Sequence, residues 1–138
     1  MNPWEIRLVW LLSVTLVLAA GKSIFFDPYT QVIIYNDLEN KKDLTIHCKS
    51  KDDDLGVHVI SYKESYDFQF EPNFFGRTLF FCRMTWNGKS HWFDVFREDR
   101  DKYWGLDHGC FQTDKCVWNV RRNGPCTENS NACYPWNK

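Results

Sequence analysis

The chain predicts an all-β fold: an antiparallel β-sandwich of seven or eight short strands, braced by disulfides. Three observations predict it. Nearly every apolar segment alternates with a period of two, the period at which successive side chains of a strand face opposite sides. Turn-forming residues (Asn36-Asp37, Gly56, Pro72-Asn73, Asn87-Gly88) cut the chain into short runs. Six cysteines lie behind an apolar leader, the pattern of a small domain stapled in an oxidising compartment. A closed barrel shares the same periodicity, so the sandwich is the preferred of two architectures.

The elements follow in order. Val32 to Tyr35 is a β-branched run ended by Asn36-Asp37. Leu44 to Cys48 places Leu44, Ile46 and Cys48 on one face and Thr45 and His47 on the other. Lys51-Asp52-Asp53-Asp54 then forms a charged turn, because three adjacent carboxylates repel one another and cannot be buried together. Gly56 closes that turn, and Val57 to Ile60 resumes an extended pattern. Tyr66, Phe68 and Phe70 alternate with Asp67, Gln69 and Glu71, a strand with one buried face. Thr78 to Trp86 is apolar on both faces at first, as a central strand should be. Asn87-Gly88 supplies the pair favoured where both turn residues need positive φ, and His91 to Phe96 returns as the partner strand. Arg97 to Gly109 mixes charges, glycines and aromatics without a period and reads as a long exposed loop. Cys116, Trp118 and Val120 share one face of a further strand. Pro125 and Pro135 restrict the tail to turns and an edge strand.

Residues 1–21 read as an export signal: a polar head, the apolar run Leu8 to Ala20, then Ala19-Ala20-Gly21 as a cleavage point. The run is shorter than the roughly 20 residues that span a bilayer. The mature chain is therefore expected to be residues 22–138, one secreted extracellular domain without membrane insertion. Cys48, Cys82, Cys110, Cys116, Cys126 and Cys133 all fall in it. No Cys-x-x-Cys pair is present to favour a zinc site. The net charge of -1, with acids and bases interspersed, offers no basic stripe for nucleic acid. No cofactor is expected.

Several segments together resemble the plant self-incompatibility S-protein homologues. They are the run Leu44–Gly56, Phe68-Gln69-Phe70, Gly76 to Cys82, and Trp92 to Phe96. Arg100-Asp101, the Cys110…Cys116-Val117-Trp118 pair and Gly124-Pro125-Cys126 follow in the family's order. The resemblance covers Val32 to Trp136. It implies a small secreted ligand of a cell-surface receptor, acting in pollen rejection or related cell–cell signalling. The chain departs from the family in its longer loop Lys102 to Gly109 and in Cys133. Cys126 is the nearest partner in sequence for Cys133, and a bridge between them would pin the tail. Cys48, Cys82, Cys110 and Cys116 would then supply two longer-range links. Six cysteines allow about fifteen pairings, and the sequence does not choose among them.

The chemistry-bearing residues do not compose an active site. His47 and His58 alternate with apolar residues and read as an outer face; His91 begins a strand and reads as exposed; His108 lies in the long loop. No Gly-x-Ser-x-Gly is present, and no paired catalytic histidines occur in a ribonuclease-like motif. The acidic turn lacks the spacing of a calcium loop. The chain is accordingly read as a non-enzyme. Large aromatics beside arginine are typical anchors of a binding surface. This makes Arg100, Asp101, Lys102, Tyr103, Trp104 and His108 the leading partner-contact candidates, with Lys51, Asp52, Asp53 and Asp54 second. A secreted hydrolase or glycan-binding defence protein on the same scaffold is the alternative.

Overall fold

The computed structural model describes residues 29–73, 77–101, 115–128 and 132–138. The strands are β1 (Thr30–Asn36), β2 (Leu44–Lys49), β3 (Asp54–Ile60), β4 (Ser65–Phe70), β5 (Leu79–Trp86), β6 (Lys89–Arg97), β7 (Lys115–Arg121) and β8 (Gly124–Thr127). They form two four-stranded sheets, ordered β4-β1-β7-β8 and β3-β2-β5-β6. The predicted sandwich is the observed architecture. Its core is the set of inward positions that the period of two marks, among them Val32, Ile34, Ile46, Met84, Phe93, Trp118 and Val120.

One pairing departs from the antiparallel expectation. β1 lies between β4 and β7, antiparallel to the first and parallel to the second, with Val32 opposite Cys116 and Ile34 opposite Trp118. Periodicity records which face a residue takes and carries nothing about strand direction. The long composition change after Arg97 also begins differently from a loop. Glu98–Asp101 is a single helical turn with Glu98 and Asp101 buried.

Two bulges re-aim side chains. Across Cys48, the register between His47/Val57 and Lys49/Asp54 leaves Leu55 and Gly56 as an extra pair member on β3. Gly56 there has φ of 78°, a conformation glycine adopts without penalty. Gly56 thus sits inside a strand rather than closing the turn. In the β5–β6 ladder the register shifts between Phe80 and Phe81. Val95 and Phe96 are consequently both buried, whereas Phe81 is half-exposed beside Trp92 on the outer face.

The two described bridges lie within layers. Cys48 and Cys82 are opposed on the neighbouring strands β2 and β5 and are joined, a sequence separation of 34. Cys126 and Cys133 form the local bridge that the tail was expected to carry. Cys116 is also disulfide-bonded, and Cys110 lies outside the described residues.

The tail straps one side of the sandwich. Tyr134 N–H donates to the Pro125 carbonyl on β8, and Asn137 N–H donates to the Trp92 carbonyl on β6. Gly124 permits this: a Cβ there would sit 2.1 Å from the Tyr134 carbonyl oxygen. The expected edge strand with its proline is β8, and the tail covers it. Between the sheets, Trp118 Nε1 donates to the Val95 carbonyl at 2.8 Å. Among the described residues no helix is long and apolar enough to cross a membrane.

Candidate functional site

Strand directions sort the connections between two ends of the sandwich. The turn 50–53 and the helical turn Glu98–Asp101 share one end, because Lys49, Phe81 and Asp94 lie side by side across β2, β5 and β6. Connections 37–43, 61–64, 87–88 and 122–123 share the other.

At the first end the acidic turn is exposed and tightly built. Lys51, Asp52, Asp53 and Asp54 all face solvent. The Ser50 N–H donates to the Asp53 carbonyl at 2.8 Å, and the Asp53 N–H donates to Ser50 Oγ at 3.1 Å. Asp54 Oδ1 accepts from the Gly56 N–H at 2.9 Å and meets His47 Nε2 at 2.6 Å. The Gly56 amide first, and His47 second, hold the Asp54 carboxyl below the usual carboxylate range. Asp54 is thus committed to fixing the turn. Asp52 and Asp53 have no ion-pair partner among the described residues.

Arg100 and Asp101 require a correction. Both were expected on a contact surface, and both turn inward. The Asp101 side chain is fully buried; its carboxylate accepts from Arg100 Nη2 at 2.8 Å and from the Arg97 N–H at 2.7 Å. The Arg100 guanidinium also donates to the Asp94 carbonyl at 2.7 Å and lies over Phe93 and Trp118. Desolvated charge needs such a complete set of partners, so this pair clasps the two sheets together. Lys102, Tyr103, Trp104 and His108 lie outside the described residues.

The described histidines also differ from expectation. His58 points between the sheets, stacks on Tyr66 at 4.1 Å and meets the Leu55 carbonyl at 2.8 Å. His91 is half-buried, stacked on Trp136 and tilted against Trp86. Only His47 lies on the outer face as read, and it is bonded to Asp54. Among the described residues no group of three His, Cys, Asp or Glu side chains is arranged to hold a metal ion.

The second end was missed by sequence reasoning, and Asn36 organises it. This buried amide donates to the Lys42 carbonyl at 2.7 Å and to the Ile60 carbonyl at 2.9 Å, and its oxygen accepts from the Leu38 N–H at 3.0 Å. Its main chain bonds Glu64 and Lys63. Beside it Asp37 pairs with Lys63 and with Arg121. Hydrogen bonds from Lys63 and then Arg121 hold Asp37 below the usual carboxylate range. Among the described residues, the non-glycine residues with positive φ, namely Asn40, Lys41, Lys63 and Asn87, all belong to these connections. A signal was available, since an asparagine at an inward strand position must find partners; only which partners was hidden.

The family model for plant self-incompatibility protein S1 matches residues 31–136. The chain belongs to this family. Among its relatives, "S-protein homolog 2" of Arabidopsis thaliana is 48% identical over 125 residues, covering 87% of this chain and 76% of the relative. "S-protein homolog 20" of the same plant is 36% identical, covering 92% of this chain and 91% of the relative. A solved structure of self-incompatibility protein homologues superposes with a TM-score of 0.56 at 19% identity, covering 78% of this chain and 94% of that one. At that identity the likeness bears on the fold. The family's sandwich is thus the frame on which both ends are mounted.

Proposed function

We propose that this family member is a small secreted protein, exported by residues 1–21, whose mature part acts as an extracellular ligand of a cell-surface protein. The observation that carries this reading is the acidic turn. It is fully exposed, yet its backbone is fixed by Ser50, Asp54 and Gly56 and rooted next to the Cys48–Cys82 bridge. A contact loop that is already ordered loses little conformational freedom on binding, and exposed charge steers the encounter. Asp52 and Asp53 are the steering charges, and Lys51 flanks them. Lys102, Tyr103, Trp104 and His108 follow the helical turn in sequence and are the proposed anchors. Related structures are described as those of "small, highly stable, secreted proteins from plants", which agrees with the location.

The reading as a ligand rather than a hydrolase rests on how the described histidines are used. His47 is held by Asp54, His58 by Tyr66 and the Leu55 carbonyl, and His91 by two tryptophans. General acid–base work needs titratable groups converging on one point of a cleft.

The test is saturable binding of the purified mature chain to plant protoplasts, with and without surface proteolysis. Binding should be protease-sensitive. D52K/D53K should slow association about tenfold, and Y103S/W104S should abolish binding with the melting temperature held. Binding untouched by both double variants would overturn this placement of the contact surface.

A further inference from the structure

The Asn36 end carries a cleft of about 460 Å³ lined by Lys42, Lys89, Arg122, Trp86, His91 and the two asparagines Asn40 and Asn87, with Leu38 and Glu39. A second hollow of about 740 Å³ adjoins it, sharing Leu38, Glu39 and Arg122. We propose that this cleft binds an acidic polysaccharide, a chain of sugars bearing carboxylates at intervals.

The charges come first. Lys42, Lys89 and Arg122 are exposed and have no ion-pair partner among the described residues, although Asp37, Lys63 and Arg121 beside them are fully paired. Lys42 and Arg122 stand on two separate connections and Lys89 at the first position of β6, against the single carboxylate Glu39. Cations spread in this way suit negative charges repeated along a chain better than one compact polyphosphate. Arg122 can hold a carboxylate through two parallel N–H donors, and the lysines act as point charges.

The wall of the cleft supplies the rest. Trp86 and His91 lie 4.8 Å apart, and both pack on Trp136, at 5.7 and 5.0 Å. This packing fixes an aromatic surface at the rim, of the kind against which the C–H face of a sugar ring can lie. The Asn40 and Asn87 amides each offer donors and an acceptor for ring hydroxyls. A binding site made only for phosphate needs neither aromatic wall nor amides. The two hollows meet over Leu38 and Arg122, so an extended ligand can run from one into the other.

The backbone of the cleft is already ordered. Asn40 and Lys41 hold positive φ at 62° and 53°, and Asn36 bonds the Lys42 carbonyl directly. Costly conformations of this kind persist where the surroundings over-determine them, and they concentrate at ligand clamps. The site lies at the opposite end from the acidic turn, so it stands or falls separately from the receptor reading.

The experiment titrates the purified mature chain with an oligogalacturonate, followed by calorimetry and by saturation transfer from protein to sugar-ring protons. Expected are saturable binding that weakens with salt, saturation transfer to ring C–H protons, and at least a tenfold loss for K42Q/K89Q/R122Q with an unchanged melting temperature. Carboxyl-reduced oligosaccharide should not bind. Several outcomes would overturn the proposal: no binding by the wild-type chain, equal binding by the triple variant, or equal affinity for dextran sulfate, single-stranded DNA and anionic vesicles. The last result would show a charge-only surface.

Discussion

At Arg100 the same chemistry that marks a binding anchor has been spent inside the molecule. The guanidinium lies over Phe93 and Trp118, joins the buried Asp101 carboxylate and caps the Asp94 carbonyl. Removing the guanidinium leaves a fully desolvated carboxylate without its counter-charge. Arg100→Ala should therefore destabilise by about 3–5 kcal/mol, read from chemical denaturation. A loss below about 1 kcal/mol would return Arg100 to the surface role its sequence context offered. Asp37 makes a gentler case, because it is partly exposed and its partners are wet. Its folded-state carboxyl is held below its ordinary value by Lys63 and Arg121. The associated stability is present in full above about pH 4, the unfolded carboxylate's range, and is lost as pH falls through the lowered folded value. Asp37→Asn should lower the melting temperature at neutral pH, with the gap closing below about pH 4. A gap that stays constant into strong acid would mean that the carboxylate's charge is not what matters. Composition could announce Arg100 and Asp101 as notable residues, but burial of their charges depends on Phe93 and Trp118, which reach them only through the fold.

Among the elements, β2, β4 and the pairing and turn of the β5–β6 hairpin were legible, because one-face burial writes its period directly into Leu44-Ile46-Cys48 and Tyr66-Phe68-Phe70. Asn87-Gly88 encodes its turn by backbone sterics alone, and both residues do take positive φ. The bulges were not legible. Slipping one residue at Phe80/Phe81 swaps Phe81 outward and admits Val95 and Phe96 together, an outcome set by packing against Phe70 rather than by local pattern. The parallel β1–β7 contact was invisible for a related reason, as direction comes from the route of the chain. The bridge between β2 and β5 belongs to this scale too. It closes a loop of separation 34, for which chain entropy gives about 4 kcal/mol. Replacing both Cys48 and Cys82 with alanine should cost about that much and lower the denaturation midpoint accordingly. An undiminished midpoint would show that the β2–β5 ladder needs no covalent support.

For the molecule as a whole, class and layering were readable, whereas of the two proposed surfaces the sequence marked only one. The acidic turn declared itself by its three carboxylates. The Asn36 end did not, because its side chains come from four connections far apart in sequence and meet only when the sheets stack. That stacking has a temporal side. β1 is the first of the described strands, yet its neighbour β4 lies at mid-chain and β7 in the final quarter. Until Lys115–Arg121 has emerged, β1 has half its hydrogen-bonding groups unmet, and the β4-β1-β7-β8 sheet cannot close. Long-range pairing of this sort makes for unhurried, all-at-once acquisition of structure. Under the proposed export, a polypeptide with that habit would stay threadable while it crosses a translocation pore and would set only after its far portion has come through.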